Sequence, residues 1–320
     1  MQTPTEITTW LLQGDPAIRW QTMRDLLDAP ADAWQAEQRR TLDSGWGARF
    51  LALQDADGKW GGGIYSPKWI STTYTLLTLC AFGIPRDCPA AQRGAKLVID
   101  TLLGEQCGES FDRKLAGCDR CIVGMVLQIA VYFGIADARI DAIVDNLLQE
   151  LMPDCGWNCR RHSRPKPRHS SFHTTLNVLE GLREYIERYA SEADQSTRRA
   201  EVLLAEQNAL ELLLQHRLYK SDKTGEIIHP KFTLLSYPPR WHYDVLRALD
   251  YFARVNAPRD ERLQDAIELL YSKRADDGRW RLEYSYKSKI FFTLETEGKP
   301  SRWNTLRALR ILRWWEKDEA

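Results

Sequence analysis

The sequence has no surplus of charge of either sign: 44 lysines and arginines face 44 aspartates and glutamates over 320 residues. That balance removes the global field with which a chain of this size binds nucleic acid or an anionic membrane surface. No apolar run is long enough to span a bilayer, and no secretory apolar stretch follows Met1. We therefore expect a soluble, cytoplasmic protein. The apolar segments lack the alternation that strands require. Cysteine is present but odd in number, at seven. In a cytoplasmic chain that argues against a disulfide frame and for reduced core residues or metal ligands.

What is present is helical and aromatic. Apolar residues make up 43% of the chain, and there are 12 tryptophans, which implies wide helix packing or an aromatic-lined cavity. Residues 1–45 read as short capping helices, with Asp15-Pro16 placing a good cap before proline at a first helical position. From Trp46 onward a pattern recurs through residue 320. An amphipathic helix is followed by a turn carrying glycine and usually tryptophan, then by a more apolar helix that mostly opens on Ser or Thr. Arg49–Gln54, Asp55–Gly63 and Ser71–Leu79 form one copy; Ile140–Leu151, Asp154–Trp157 and Phe172–Tyr185 form another. Leu263–Leu270, Asp276–Trp280 and Arg302–Leu309 form the last.

Leucines three apart (Leu176, Leu179, Leu182; Leu306, Leu309, Leu312) give the second helices their period. A repeat of roughly 50 to 70 residues built from helix pairs predicts stacked hairpins, since one pair cannot bury its own apolar face. The second helices are apolar on nearly all faces, Ile122–Phe133 above all, as an inner wall would be. The expectation is an all-α protein, an α/α toroid of roughly five to six helical hairpins with a small N-terminal cap.

The turn Gln54-x-x-Asp-Gly-x-Trp-Gly-Gly resembles the glutamine–tryptophan repeat of squalene cyclases, and Asp276-Asp-Gly-Arg-Trp280 is similar to it. The chain thus resembles the superfamily of squalene/hopene cyclases and protein prenyltransferase β-subunits, which share an α/α toroid. The sharper likeness is to the β-subunits, which bind zinc through Asp-x-Cys at the mouth of one inner helix and His-Thr at the mouth of the following one. Here those motifs are Asp119-Arg-Cys121 and His173-Thr174, so the resemblance implies Asp119, Cys121 and His173 as zinc ligands. Carboxylate, thiolate and imidazole are donors that zinc accepts while keeping a position open. Residues two apart inside a helix diverge by about 200°, so Asp119 and Cys121 can share an ion only where the helix is starting.

Each residue also has a plain structural explanation: Asp119 as a helix cap, Cys121 as a small buried apolar group, His173 as a packed core histidine. Cys159 lies a short loop before His173 and stands as a reactive thiol or fourth ligand; four protein ligands would make the ion structural. His242, with Asp244 to orient it, opens a later inner helix and is a further candidate for catalysis. Arg113 and Lys114 precede Asp119, and Arg160 and Arg161 begin a basic loop that is either solvated surface or an anion clamp. In the resembling family, basic residues in that neighbourhood hold a diphosphate.

The chain departs from that pattern twice. Ile122 stands where the family has an aromatic residue, and Ser71-Thr-Thr-Tyr74 lacks its diphosphate-binding histidine. The cyclases' Asp-x-Asp-Asp acid has no counterpart at an inner-helix mouth.

The expected function is a zinc-dependent transferase or hydrolase. It would activate a thiol or water beside an Arg-rich anion site and act on a small hydrophobic or anionic, isoprenoid- or diphosphate-like substrate. Two alternatives stay open. One is a non-catalytic binding module with a structural metal or none. The other is a lanthionine-cyclase-like enzyme using Cys121, Cys159 and His173 on peptide thiols.

Overall fold

The computed structural model describes residues 5–104, 110–159, 165–189 and 196–317. The fold is all-α. Its helices begin with α1 (Glu6–Leu12), α2 (Pro16–Asp25), α3 (Ala31–Arg39), α4 (Gly45–Leu51), α5 (Thr72–Phe82), α6 (Pro89–Leu103) and α7 (Phe111–Gly117). They continue with α8 (Arg120–Tyr132), α9 (Arg139–Gln149), α10 (Phe172–Tyr189), α11 (Ser196–Gln215), α12 (Val245–Arg254), α13 (Gln264–Ser272) and α14 (Arg302–Trp315). Among the described residues, extended pairing is confined to isolated bridges in the turns, such as Gln54 with Trp60 and Arg274 with Trp280. No helix there is long and apolar enough to cross a membrane.

The chain divides into two compact units. A central unit comprises Leu53–Cys80 and Arg86–Leu213; a terminal unit comprises Met1–Ala52, Ala81–Pro85 and Leu214–Ala320.

The repeat seen in the sequence has a physical basis in the tryptophan of each turn. Trp157 donates its indole N–H to Leu147 O at the end of α9 (2.7 Å) and its amide to Thr175 Oγ1 in the first turn of α10 (3.0 Å). Ser171 N returns a bond to Trp157 O at 2.8 Å. Trp280 repeats every part, to Leu270 O (2.7 Å), Thr305 Oγ1 (3.0 Å) and from Ser301 N (2.8 Å). Trp60 uses Thr72 Oγ1 in the same way at 3.0 Å. All three rings are 0% exposed, so each clasp satisfies polar atoms that have no water to turn to.

In the central unit α8 and α10 approach until backbone meets backbone. A methyl at Gly124 would lie 2.6 Å from Asn177 O, and one at Gly181 would collide with Gly124 O. Glycine inside a helix costs roughly 0.5–1 kcal/mol relative to alanine, and here it permits an approach that any side chain would prevent.

The terminal unit is tied through α14. Arg310 bridges Asp25 (2.8 Å) and Asp250 (2.9 Å), while Arg313 holds Asp28 at 2.7 Å. The N-terminal helices are thereby fastened to the C-terminal one.

Candidate functional site

The central unit gathers a thiol pair at the mouths of α8 and α10. Cys121 Sγ and Cys159 Sγ lie 3.2 Å apart, and Thr174 Oγ1 is 3.4 Å from Cys159 Sγ. The turn presenting Cys121 is held by Arg120, buried to 4% exposure, which donates to Leu115 O (2.6 Å) and to Cys118 O and Asn146 Oδ1. The turn presenting Cys159 is fixed by Trp157. The chain after residues 160–164 is pinned as well, because Ser170 N donates to Asp154 Oδ2 at 2.7 Å and Asn158 Nδ2 to His169 O at 2.7 Å.

The two sulfurs titrate as a pair. The bond between them, with burial, pushes the Cys121 thiol up. The same bond brings Cys159 down to about 7, assisted by Thr174 and opposed by burial. The asymmetry is geometric: Cys159 is the less buried sulfur and has a hydroxyl beside it, so the negative charge settles there.

Asp119 precedes α8 in extended conformation but makes no side-chain capping bond. Its negative charge works against ionisation of both thiols and of Tyr65, though for Cys159 the lowering contacts prevail. Tyr65 is pushed up to about 12, chiefly by burial, and Tyr74 donates its hydroxyl to it at 3.0 Å. Trp69 meets Tyr74 edge to face at 4.8 Å. Thus tyrosine hydroxyls stand at the opening of α5, where the prenyltransferase pattern has a histidine. Tyr65 and Thr174 were not singled out from sequence. Tyr65 lies in a turn with no motif, and Thr174 was visible only as the neighbour of His173.

His173 is half-buried in the first turn of α10, one residue before the Thr174 that meets Cys159. On α7, Arg113 is exposed and Lys114 half-buried. Arg160 and Arg161 lie outside the described residues. Two thiols at 3.2 Å are donors of the soft kind that zinc accepts once they are deprotonated. Among the described residues no three His, Cys, Asp or Glu side chains are gathered closely enough to hold an ion.

His242 and Asp244 belong to the terminal unit. His242 is sandwiched between Trp241 (3.8 Å) and Tyr286 (3.5 Å). Asp244 is fully buried and caps α12: Oδ1 accepts Arg247 N at 2.8 Å, and Oδ2 accepts Ser236 Oγ. Burial raises its pKa, against the charges of Arg307 and Arg247.

No family model and no curated protein matches the sequence. Among solved structures, the chain is similar to the type II terpene cyclase MstE from Scytonema without ligand, at 15% identity and TM-score 0.33, covering 88% of this chain and 98% of that one. It is also similar to an aspartate-to-asparagine variant of MstE in complex with geranylgeranyl dihydroxybenzoate, its substrate, at 13% identity and TM-score 0.32, covering 87% and 95%.

Proposed function

We propose that the central unit carries a thiol-centred zinc site and that the chain is an enzyme acting on a prenyl-type substrate. The observation that carries this reading is the meeting of Cys121 and Cys159 beside an aspartate not engaged in capping its own helix. Cys121, Asp119 and His173 would hold the ion, with Cys159 the adjoining thiol. Bound there, zinc would keep a thiol or water ionised and nucleophilic near neutral pH.

The chain's own residues supply the rest. In the metal-free pair the Cys121 thiol and Thr174 stabilise charge on Cys159; with Cys121 on the ion, Thr174 keeps that part. Tyr65 and Tyr74 offer a hydroxyl pair within electrostatic reach of it. Arg113 and Lys114, with Arg160 and Arg161, would neutralise an oxyanion such as a diphosphate leaving group.

The short distance between the sulfurs also favours a second reading. Four ligands, Cys159 included, would close the site and make the metal structural in a binding module. Titration of metal-free protein with zinc, and with cadmium followed by its ultraviolet thiolate band, separates these. Under the enzyme reading Cys121→Ser and His173→Ala abolish uptake, whereas Cys159→Ser retains it; a closed site loses metal in all three. Metal-replete protein that takes up no zinc would overturn both.

A further inference from the structure

Among the described residues of the terminal unit, buried side-chain donors without a partner outnumber buried acceptors without one. Trp303 and Arg307 stand one turn apart on the same face of α14. Tyr237 stacks on Trp303 at 4.7 Å and 16°. The three residues are 2%, 6% and 4% exposed, in that order. Trp303 Nε1, Arg307 Nη1 and the Tyr237 hydroxyl have no hydrogen-bond partner among the described residues. Indole and guanidinium nitrogens can only donate.

The neighbouring acceptors are already committed. Arg307 Nε is held by Asp250 at 3.2 Å. Asp244 receives Ser236 and Arg247, and Glu295 receives Ser301, Arg302 N and Trp303 N. Asn304 Oδ1 is the one unpartnered acceptor beside them, on a side chain whose amide nitrogen already serves Leu235 O and Arg281 O. Two nitrogens that can only donate and a hydroxyl that can do either, beside one unpartnered amide oxygen, leave a demand for oxygen lone pairs, and a buried donor left unmade is a standing penalty on the fold.

The surroundings state what must carry those oxygens. Phe82 stacks on Trp303 at 5.6 Å and 9°, and Trp46 at 6.3 Å. The positive charge of Arg307 reaches both the Tyr237 hydroxyl and Asp244.

We propose that Tyr237, Trp303 and Arg307 form a recognition site for the carboxylate of an apolar acid, its body lying among these aromatic rings. The guanidinium and indole N–H groups fix the two oxygens, and the Tyr237 hydroxyl adds a third bond. The site uses no metal and no residue of the thiol pair, so it stands or falls separately from the zinc reading.

The test is calorimetric titration with 2-naphthoate, alongside 2-naphthalenemethanol and 2-naphthylmethylammonium. Wild-type protein should bind the carboxylate saturably, the alcohol about tenfold more weakly and the cation not at all. Arg307→Met should weaken 2-naphthoate by at least about tenfold, and Tyr237→Phe and Trp303→Phe each by about threefold or more. The last two leave the Asp250 contact intact and decide the matter should Arg307→Met fail to fold. Absence of saturable 2-naphthoate binding, equal affinity in all variants, or a crystal structure with only ordered water on the three donors would each overturn the proposal.

Discussion

Asp119 and Asp244 hold the same position, the extended residue before an apolar helix, in the central and the terminal unit. Their surroundings give them different roles. Asp244 is fully buried and uses both oxygens locally, closing the first turn of α12 and taking the Ser236 hydroxyl. Asp119 is half-exposed and leaves the first turn of α8 uncapped, while its charge acts on two sulfurs. A carboxylate before a helix is thus no sign of function in itself. What separates the two is whether the helix's own N–H groups engage it.

The contrast breaks most readily at Asp244. Asp244→Ala strips a buried acceptor from Arg247 N and Ser236 and should destabilise by about 2–4 kcal/mol in urea unfolding. Gly124→Ala forces α8 from α10 and should destabilise by about 1–3 kcal/mol while weakening cadmium–thiolate formation, which Asp244→Ala leaves unchanged.

Acid sharpens the comparison differently. Burial would raise Asp25, yet Arg310 and Arg24 outweigh it and hold its pKa below the usual carboxylate range. A depressed folded pKa contributes stability that is complete above the unfolded value, about 4, and disappears as pH falls through the folded one. Acid unfolding below about pH 4 should therefore be shallower in Asp25→Asn, which has no such proton to take up.

Thr175→Val and Thr305→Val each remove one acceptor from a buried tryptophan amide and should cost about 1 kcal/mol apiece. Asp119→Ala, with no cap to lose, should move the urea midpoint least, by under about 0.5 kcal/mol, yet lower zinc affinity about tenfold. A large loss of stability from Asp119→Ala would show it to be a structural residue like Asp244.

Much of this architecture was legible in the sequence. The glycine–tryptophan turns and leucine spacings mark the helix pairs, and Cys159 stands out as a thiol a short loop before His173. Tyr65 was not legible, because its approach to the sulfurs comes from folding and not from spacing. Nor were Gly124 and Gly181, whose value lies in backbone contact between helices some fifty residues apart. Arg120 carries no signal as the middle residue of Asp119-Arg-Cys121, yet it staples the turn that presents Cys121. Trp303 and Arg307 were legible only as helix period, since an unanswered donor has no sequence signature.

The tryptophan clasps carry one more lesson. The stretch between indole and threonine spans 12 residues at Trp60, 18 at Trp157 and 25 at Trp280, yet the three amide bonds match in length. Each hairpin therefore sets its own register wherever the intervening chain wanders. The longest of these stretches is itself anchored, since Glu295 receives Arg302 N and Trp303 N at the start of α14, so the clasp and the cap fix that helix together. A scaffold of this kind can acquire new chemistry one loop at a time.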